Sequence, residues 1–277
     1  MRAFACHSSY SYIQIMKLNK ILSFFTLTSI ALSSSAFAAN WSSTALHINN
    51  GDQKNPFTEQ ESDTTVYSVQ HASGYDYGDN FFFIDYSKDD KADGYQDSDF
   101  YGEWYSTVSL SALSGEKIGT GALLDVGLTG GINIAGDAKM VKYLPGVKLS
   151  WDVPGFNFFQ TIVTAYIDDS EGVAKGGAPI ETNSWMFDVA FEYPFTIGSQ
   201  KFSFKGHAEY IAEREDEFGN DVEAWILAQP ILVWDMGHAF EMKENTLLLG
   251  MELQYWHNKL GTEVTESVPQ IHVEWTF

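Results

Sequence analysis

The last seven residues, Ile271-His272-Val273-Glu274-Trp275-Thr276-Phe277, alternate without a break: every odd position is apolar and every even position polar. A strand written this way has one face against a greasy surface and the other against water or polar groups. The pattern recurs upstream. Leu247, Leu249, Met251, Leu253 and Tyr255 share a face opposite Gly250, Glu252, Gln254 and Trp256. Trp185, Phe187, Val189, Phe191 and Tyr193 oppose Ser184, Asp188 and Glu192, and Phe202, Phe204, Ala208 and Tyr210 oppose Ser203, Lys205, His207 and Glu209. Each run is about ten residues long. A tilted strand needs roughly 9–11 to cross a bilayer, whereas a soluble strand averages about five or six.

Residues 16–38 read as an export signal: Lys17 and Lys20, the apolar stretch from Ile21 to Leu32, then Ala36-Phe37-Ala38 as a small-residue cleavage site. The apolar stretch falls short of the roughly 20 residues of a spanning helix. Residues 1–15 read as an upstream extension and 39–277 as the mature domain. An exported chain with no later helix-length apolar stretch is either soluble or crosses a membrane as a closed β-barrel, which leaves no backbone unpaired in lipid. Composition removes other classes. A net charge of −21, from 16 Lys and Arg against 37 Asp and Glu, would repel a phosphate backbone and speaks against nucleic acid. The 20 Phe, 14 Tyr and 8 Trp are far too many for a disordered chain. Cys6 is the only cysteine, so a disulfide framework, a thiolate zinc site and a CxxC redox pair are all excluded.

Turn residues divide the chain into strands near 41–49, 64–72, 79–86, 100–110, 121–133, 143–153, 157–168, 184–193, 201–211, 222–235, 246–257 and 267–277. The fold class is therefore all-β: a closed antiparallel transmembrane β-barrel of about 12 strands, an even number that returns both termini to one side. Compact connections at 73–76, 154–156 and 194–200 interleave with long polar ones near 50–63, 88–99, 168–183 and 212–221, and of these 88–99, 168–183 and 212–221 are expected to be extracellular. The connection at 236–245 is long for the terminal side. Trp41, Trp104, Trp151, Trp185, Trp234, Trp275, Tyr86, Tyr193, Tyr210, Tyr255 and Phe277 fall toward strand ends, as aromatic girdles require.

Three local segments carry a family likeness: Gly78-Asp79-Asn80-Phe81-Phe82-Phe83-Ile84-Asp85, Tyr101-Gly102-Glu103 and Asp152-Val153-Pro154-Gly155-Phe156-Asn157. They resemble the motifs of the nucleoside-specific channel-forming outer-membrane proteins, the Tsx type with its OmpK branch. The resemblance, with its twelve-strand plan, implies a monomeric barrel in the outer membrane that passes nucleosides, in a family whose members also serve as bacteriophage receptors at their extracellular loops. Gln70 departs from it, standing where the family favours Glu.

Alternation alone gives a candidate lumen. The third strand points Phe81, Phe83 and Asp85 inward, the fourth Tyr101, Glu103 and Tyr105, the ninth Lys205, His207 and Glu209, the tenth Glu223, Trp225 and Gln229, and the eleventh Glu252 and Trp256. Aromatic faces and carboxylates on one surface suit a nucleoside, whose base stacks and whose ribose donates hydrogen bonds, with stacking worth roughly 1–3 kcal/mol per base. No cofactor or metal is called for. The acidic stretch 89–99 fails as a calcium loop, with Lys91 at the third position and Phe100 at the twelfth of an EF-hand starting at Asp89. The glycines at 119–121 and 127–131 lack the Gly-Lys-Ser/Thr of a nucleotide loop and read as turn and wall residues. Two rival readings stand beside the channel: a structural or adhesive surface barrel, and a barrel hydrolase in which His207 and Glu209 orient an unidentified nucleophile. On the lipid face, Leu249 or Leu253 changed to Arg is expected to impair insertion, and Gln254→Arg to be tolerated in a watery lumen.

Overall fold

A computed structural model describes residues 39–277; the expected export signal and upstream extension lie outside the described residues. Twelve long strands run β1 (Trp41–Lys54), β2 (Glu61–Tyr75), β3 (Gly78–Lys88), β4 (Asp99–Ser109), β5 (Leu123–Ala135), β6 (Met140–Trp151), β7 (Phe158–Asp168), β8 (Ser184–Ile197), β9 (Gln200–Ile211), β10 (Trp225–Asp235), β11 (Leu247–His257) and β12 (Glu266–Thr276). Each pairs antiparallel with the next, and β1 pairs with β12 from Ala45↔Thr276 to Asn50↔Ile271, closing the barrel. Among the described residues no helix is long and apolar enough to cross a membrane.

Three local expectations are corrected. The first compact turn lies at Asp76-Tyr77, because β2 and β3 stay in register out to Tyr75↔Gly78. The tenth strand starts at Trp225 instead of 222: Asp221–Val222 pair with Arg214–Glu215 as a small hairpin, and the Glu223 amide donates to the Gly261 carbonyl at 3.1 Å. Glu223 is accordingly an exposed loop residue and not part of the inner wall. The long connection after β10 also gains an account. The Asp235 carboxylate caps the short helix Met236–Ala239, accepting from the His238 amide at 2.9 Å, and its second oxygen accepts from the Asn245 amide at 2.9 Å. One buried acid thus organises both ends of that connection.

Polarity is inverted relative to a soluble domain. Leu46, Ile48, Ile84, Leu128, Val163, Leu232, Met251 and Ile271 are exposed on the outside of seven different strands, while Asn49, Thr64, Asn133, Lys142, Lys148, Glu252 and His272 are buried within. An apolar exterior over a polar interior is what lipid outside and water or hydrogen bonds inside require. Most expected girdle residues stand outward near strand ends, Trp41, Trp185, Trp275 and Phe277 among those most exposed. Trp104 does not. It pairs with Phe82 and Ile132 in the middle of β4, at mid-height of the wall.

Cross-strand approach explains one glycine directly. At Gly206 (φ 142°) a Cβ would lie 2.1 Å from the Gln229 carbonyl oxygen. Its register partner is Pro230, which has no N–H to give the ladder, so the two strands close where neither side chain nor donor intervenes.

Leu249→Arg and Leu253→Arg place a charge on the exposed face of β11; Leu253→Arg, near the middle of the strand, is expected to cost about 2–4 kcal/mol and Leu249→Arg, the third residue from its terminal end, less, both read as reduced folding yield into lipid vesicles. The expected tolerance of Gln254→Arg is overturned. Gln254 is buried and donates to Glu266 at 2.8 Å, and Glu266 already pairs with the buried Lys259 at 2.8 Å. An arginine there would crowd a second cation beside Lys259.

Candidate functional site: a chamber within the barrel

Apart from Glu223, the other thirteen residues expected to line the lumen lie on the inward-facing parity of their strands, but they do different things. Midway along the barrel Phe81, Phe83, Asp85, Tyr101, Glu103, Tyr105, Glu209 and Gln229 are half-buried, so water reaches them from inside. The His207 side chain is 33% exposed. Together they line a chamber between the wall β3–β4 and the wall β9–β10.

On the first wall the rings form a ledge: Phe81 and Phe83 have centroids 6.2 Å apart, and Phe83 and Tyr101 5.9 Å. Beside it the Tyr101 hydroxyl donates to Glu103 Oε1 at 2.5 Å, and Asn133 Nδ2 donates to the same carboxylate at 3.0 Å. Glu103 is thereby fixed on its own side with its other oxygen free of those bonds. Asp85 stands in register with Ser68 one strand away. Gln70 is the register partner of Phe83 and so adjoins the ledge with a neutral amide.

The opposite wall is a relay of side-chain hydrogen bonds. His207 meets Asp188 through Nδ1 at 3.0 Å and Gln229 Oε1 through Nε2 at 2.9 Å. Gln229 Nε2 donates to Glu252 at 2.9 Å, and Asn49 Nδ2 to the other oxygen of Glu252 at 3.0 Å. This bears on the hydrolase reading. The imidazole is held by Asp188 and not by Glu209, and both its nitrogens face acceptors, which leaves no lone pair for a serine hydroxyl. Lys205, also expected in the lumen, is ion-paired to Glu274 three strands away.

Toward the end opposite the termini an apolar cluster occupies part of the interior. Leu144, Tyr166, Met186, Ile211 and Trp225 are buried together, with Tyr105, Val222 and Trp256 packed against them. That cluster runs from β4 round to β11. Trp225 and Trp256, read from sequence as stacking faces, belong to it, with ring centroids 6.3 Å apart. Above it Arg214 lies 4.1 Å over the Trp225 ring and forks onto Glu181 at 2.7 and 3.0 Å. Lys142 reaches the same Glu181 at 2.5 Å and Asp168 at 3.2 Å. Alternation gives no signal for this cover, because Glu181 and Arg214 lie in loops. Lys259, in the loop after β11, is buried beside Glu266 with its ammonium 5.2 Å from the Tyr95 ring. Burial pushes its pKa down, against the pull of Glu266.

Cavities of about 560 Å³ and 410 Å³ open at the two ends. The larger is lined by Thr182, Arg214, Glu223 and their loop neighbours, the smaller by Glu192, Phe202, Asp235, Leu248 and theirs. In the loop after β3, Asp89, Asp93 and Asp97 gather. Their carboxylates accept backbone amides, Asp89 from Lys91 at 3.0 Å and Asp97 from Asp93 at 3.0 Å, and so shape the loop.

No protein-family model matches this chain. No curated protein matches it either. Among solved structures it is similar to an outer membrane channel from Pseudomonas putida F1, at 8% identity over 88% of this chain and 99% of that one, with a TM-score of 0.47. It is also similar to CdiB from Acinetobacter baumannii, at 9% identity over 85% of this chain and 60% of that one, TM-score 0.35. A third is the transport unit of the autotransporter AIDA-I from Escherichia coli, at 10% identity over 90% and 95%, TM-score 0.30.

Proposed function

We propose that this chain is a bacterial outer-membrane channel for passive uptake of small polar solutes, and that nucleosides are the solutes it suits best. The observation that carries the reading is the chamber: an aromatic ledge, Phe81, Phe83 and Tyr101, flanked by the acceptors Asp85 and Glu103 and faced by Glu209 and Gln229. A base stacks on the ledge while ribose hydroxyls donate to the carboxylates, and weak sites of this kind hold a solute without trapping it. The surplus of carboxylates disfavours a phosphorylated solute, so a nucleoside monophosphate is expected to block more weakly than its nucleoside. Single-channel conductance in planar bilayers, with and without added nucleoside, tests the proposal. Equal block by nucleoside and by a sugar lacking a base would remove nucleoside selectivity and leave a general porin.

A second reading, a surface barrel that binds partners such as bacteriophage and transports little, is favoured by the apolar cluster across the mouth. Phe57 and Phe218, 72% and 65% exposed on loops of that end, favour it too. Absence of any conductance by the folded, inserted protein would support it over the channel.

With the termini in the periplasm, the connections 89–98, 169–183 and 212–224 face outward from the cell. Protease applied to intact cells is expected to cut within them. Cleavage confined to 76–77 and 152–157 would reverse the orientation.

A further inference from the structure

Away from the chamber, toward the terminal end, His47 on β1 and His272 and Glu274 on β12 are buried on the inner face of the closing seam. Glu274 is the register partner of His47, and His272 lies two residues before it, so the pleat sets all three on one side. One carboxylate oxygen, Glu274 Oε2, sits 3.6 Å from His272 Nε2 and 3.7 Å from His47 Nδ1. Two ligand atoms on a tetrahedral ion with bonds of about 2.0–2.1 Å stand about 3.3 Å apart. A contraction of a few tenths of an ångström therefore brings each histidine and the carboxylate to coordination spacing.

The hydrogen bonds around His272 leave the right atom free. Asn49 Nδ2 donates to Glu252, which turns its carbonyl oxygen toward His272 Nδ1 at 2.6 Å. An amide oxygen only accepts, so Nδ1 carries a proton, and in the neutral imidazole Nε2 is then the nitrogen with the lone pair. That Nε2 is buried without a hydrogen-bond partner on a side chain of 0% exposure, and it is the atom that faces Glu274. Buried polar atoms are rarely left so unless something else binds them.

We propose that His47, His272 and Glu274 form a binding site for one divalent transition-metal ion of the zinc, nickel or copper class. Two imidazoles and a single carboxylate suit these ions, whereas calcium and magnesium call for oxygen ligands. Asn49 is the outer partner that fixes the His272 tautomer. Lys205 is the built-in competitor: its ammonium pairs with the same oxygen of Glu274 that faces both imidazoles. An incoming ion displaces it. The site rests on the seam alone and is independent of what passes through the chamber.

The test uses the full barrel, refolded in detergent and stripped of metal, with Co²⁺ as a visible-absorption probe and Zn²⁺ by calorimetry. Folding of every variant is checked by circular dichroism and heat-modified gel mobility. One equivalent of Co²⁺ per chain is expected, displaced by Zn²⁺, with the absorption of a low-coordinate site. Asn49→Ala is expected to weaken binding about 10–100-fold, Lys205→Met to tighten it, and the pair His47→Ala with His272→Ala to abolish it. Should the double variant not fold, the conservative His272→Gln carries the same expectation of loss. No stoichiometric binding by either the wild type or Lys205→Met would overturn the site. Undiminished binding by a folded His272→Gln would do so as well, since the ion would then sit elsewhere.

Discussion

Truncating Phe81 and Phe83 together to alanine is expected to weaken nucleoside block of the single-channel current about fivefold to more than a hundredfold, the equivalent of one stacking platform at roughly 1–3 kcal/mol. Conductance itself is not expected to fall. The two rings stand against each other, and Phe83 against Tyr101, so their loss removes attraction and widens the passage together. A ribose-like sugar without a base is the control, and its block is expected to be unchanged by the substitutions. Strong nucleoside block that survives the double substitution would keep the function but move its site off β3.

The second large effect is expected at the mouth. Arg214→Ala removes the fork onto Glu181 and uncovers Trp225, leaving Lys142 as the remaining cation on that carboxylate. Breaking a buried ion pair from one side costs about 3–5 kcal/mol, and the surviving Lys142 places this case near the low end. Loss of stability is read in the heat or urea needed to unfold the barrel in detergent. Conductance is expected to rise, since Arg214 also lines the cavity at that end. Arg214→Lys should recover little of either effect, because an ammonium cannot make the two-pronged contact. Unchanged stability and unchanged conductance in Arg214→Ala would mean that the cover is ornamental to the passage.

Much of this is legible in the amino-acid sequence itself, and for one physical reason. A strand has a period of two, so parity assigns a face wherever one side is apolar, and all twelve strands and the inward set on β3, β4, β9, β10 and β11 follow from it. Parity carries no information about height or about partners across the lumen. Parity points Lys205 into the lumen, yet its ammonium is taken by Glu274, 69 residues away. Lys148 pairs with Asp79 over the same separation of 69 residues, at 2.5 Å. Trp225 and Trp256 have the right face but sit at the mouth, where they pack together. Glu223 has the right parity for a strand that does not extend to it. Arg214 and Glu181 belong to loops, where no period exists to read.

The seam between β1 and β12 also sets the order in which such a molecule can come into being. Asn49 and His272 meet across a separation of 223 residues, whereas each of the other eleven pairings joins strands that are neighbours in the chain. Bringing ends together costs entropy that grows as the logarithm of the loop, about 5 kcal/mol at this length against roughly 1 kcal/mol for a tight hairpin. The hairpins can therefore zip locally and early, while the ring has no reason to shut until nearly every wall is standing. Until then two ragged edges, β1 and β12, offer unpaired amides and carbonyls to any neighbour. The hazardous interval in the life of this protein is the one just before closure, and whatever catalyses or clamps that last pairing shortens it.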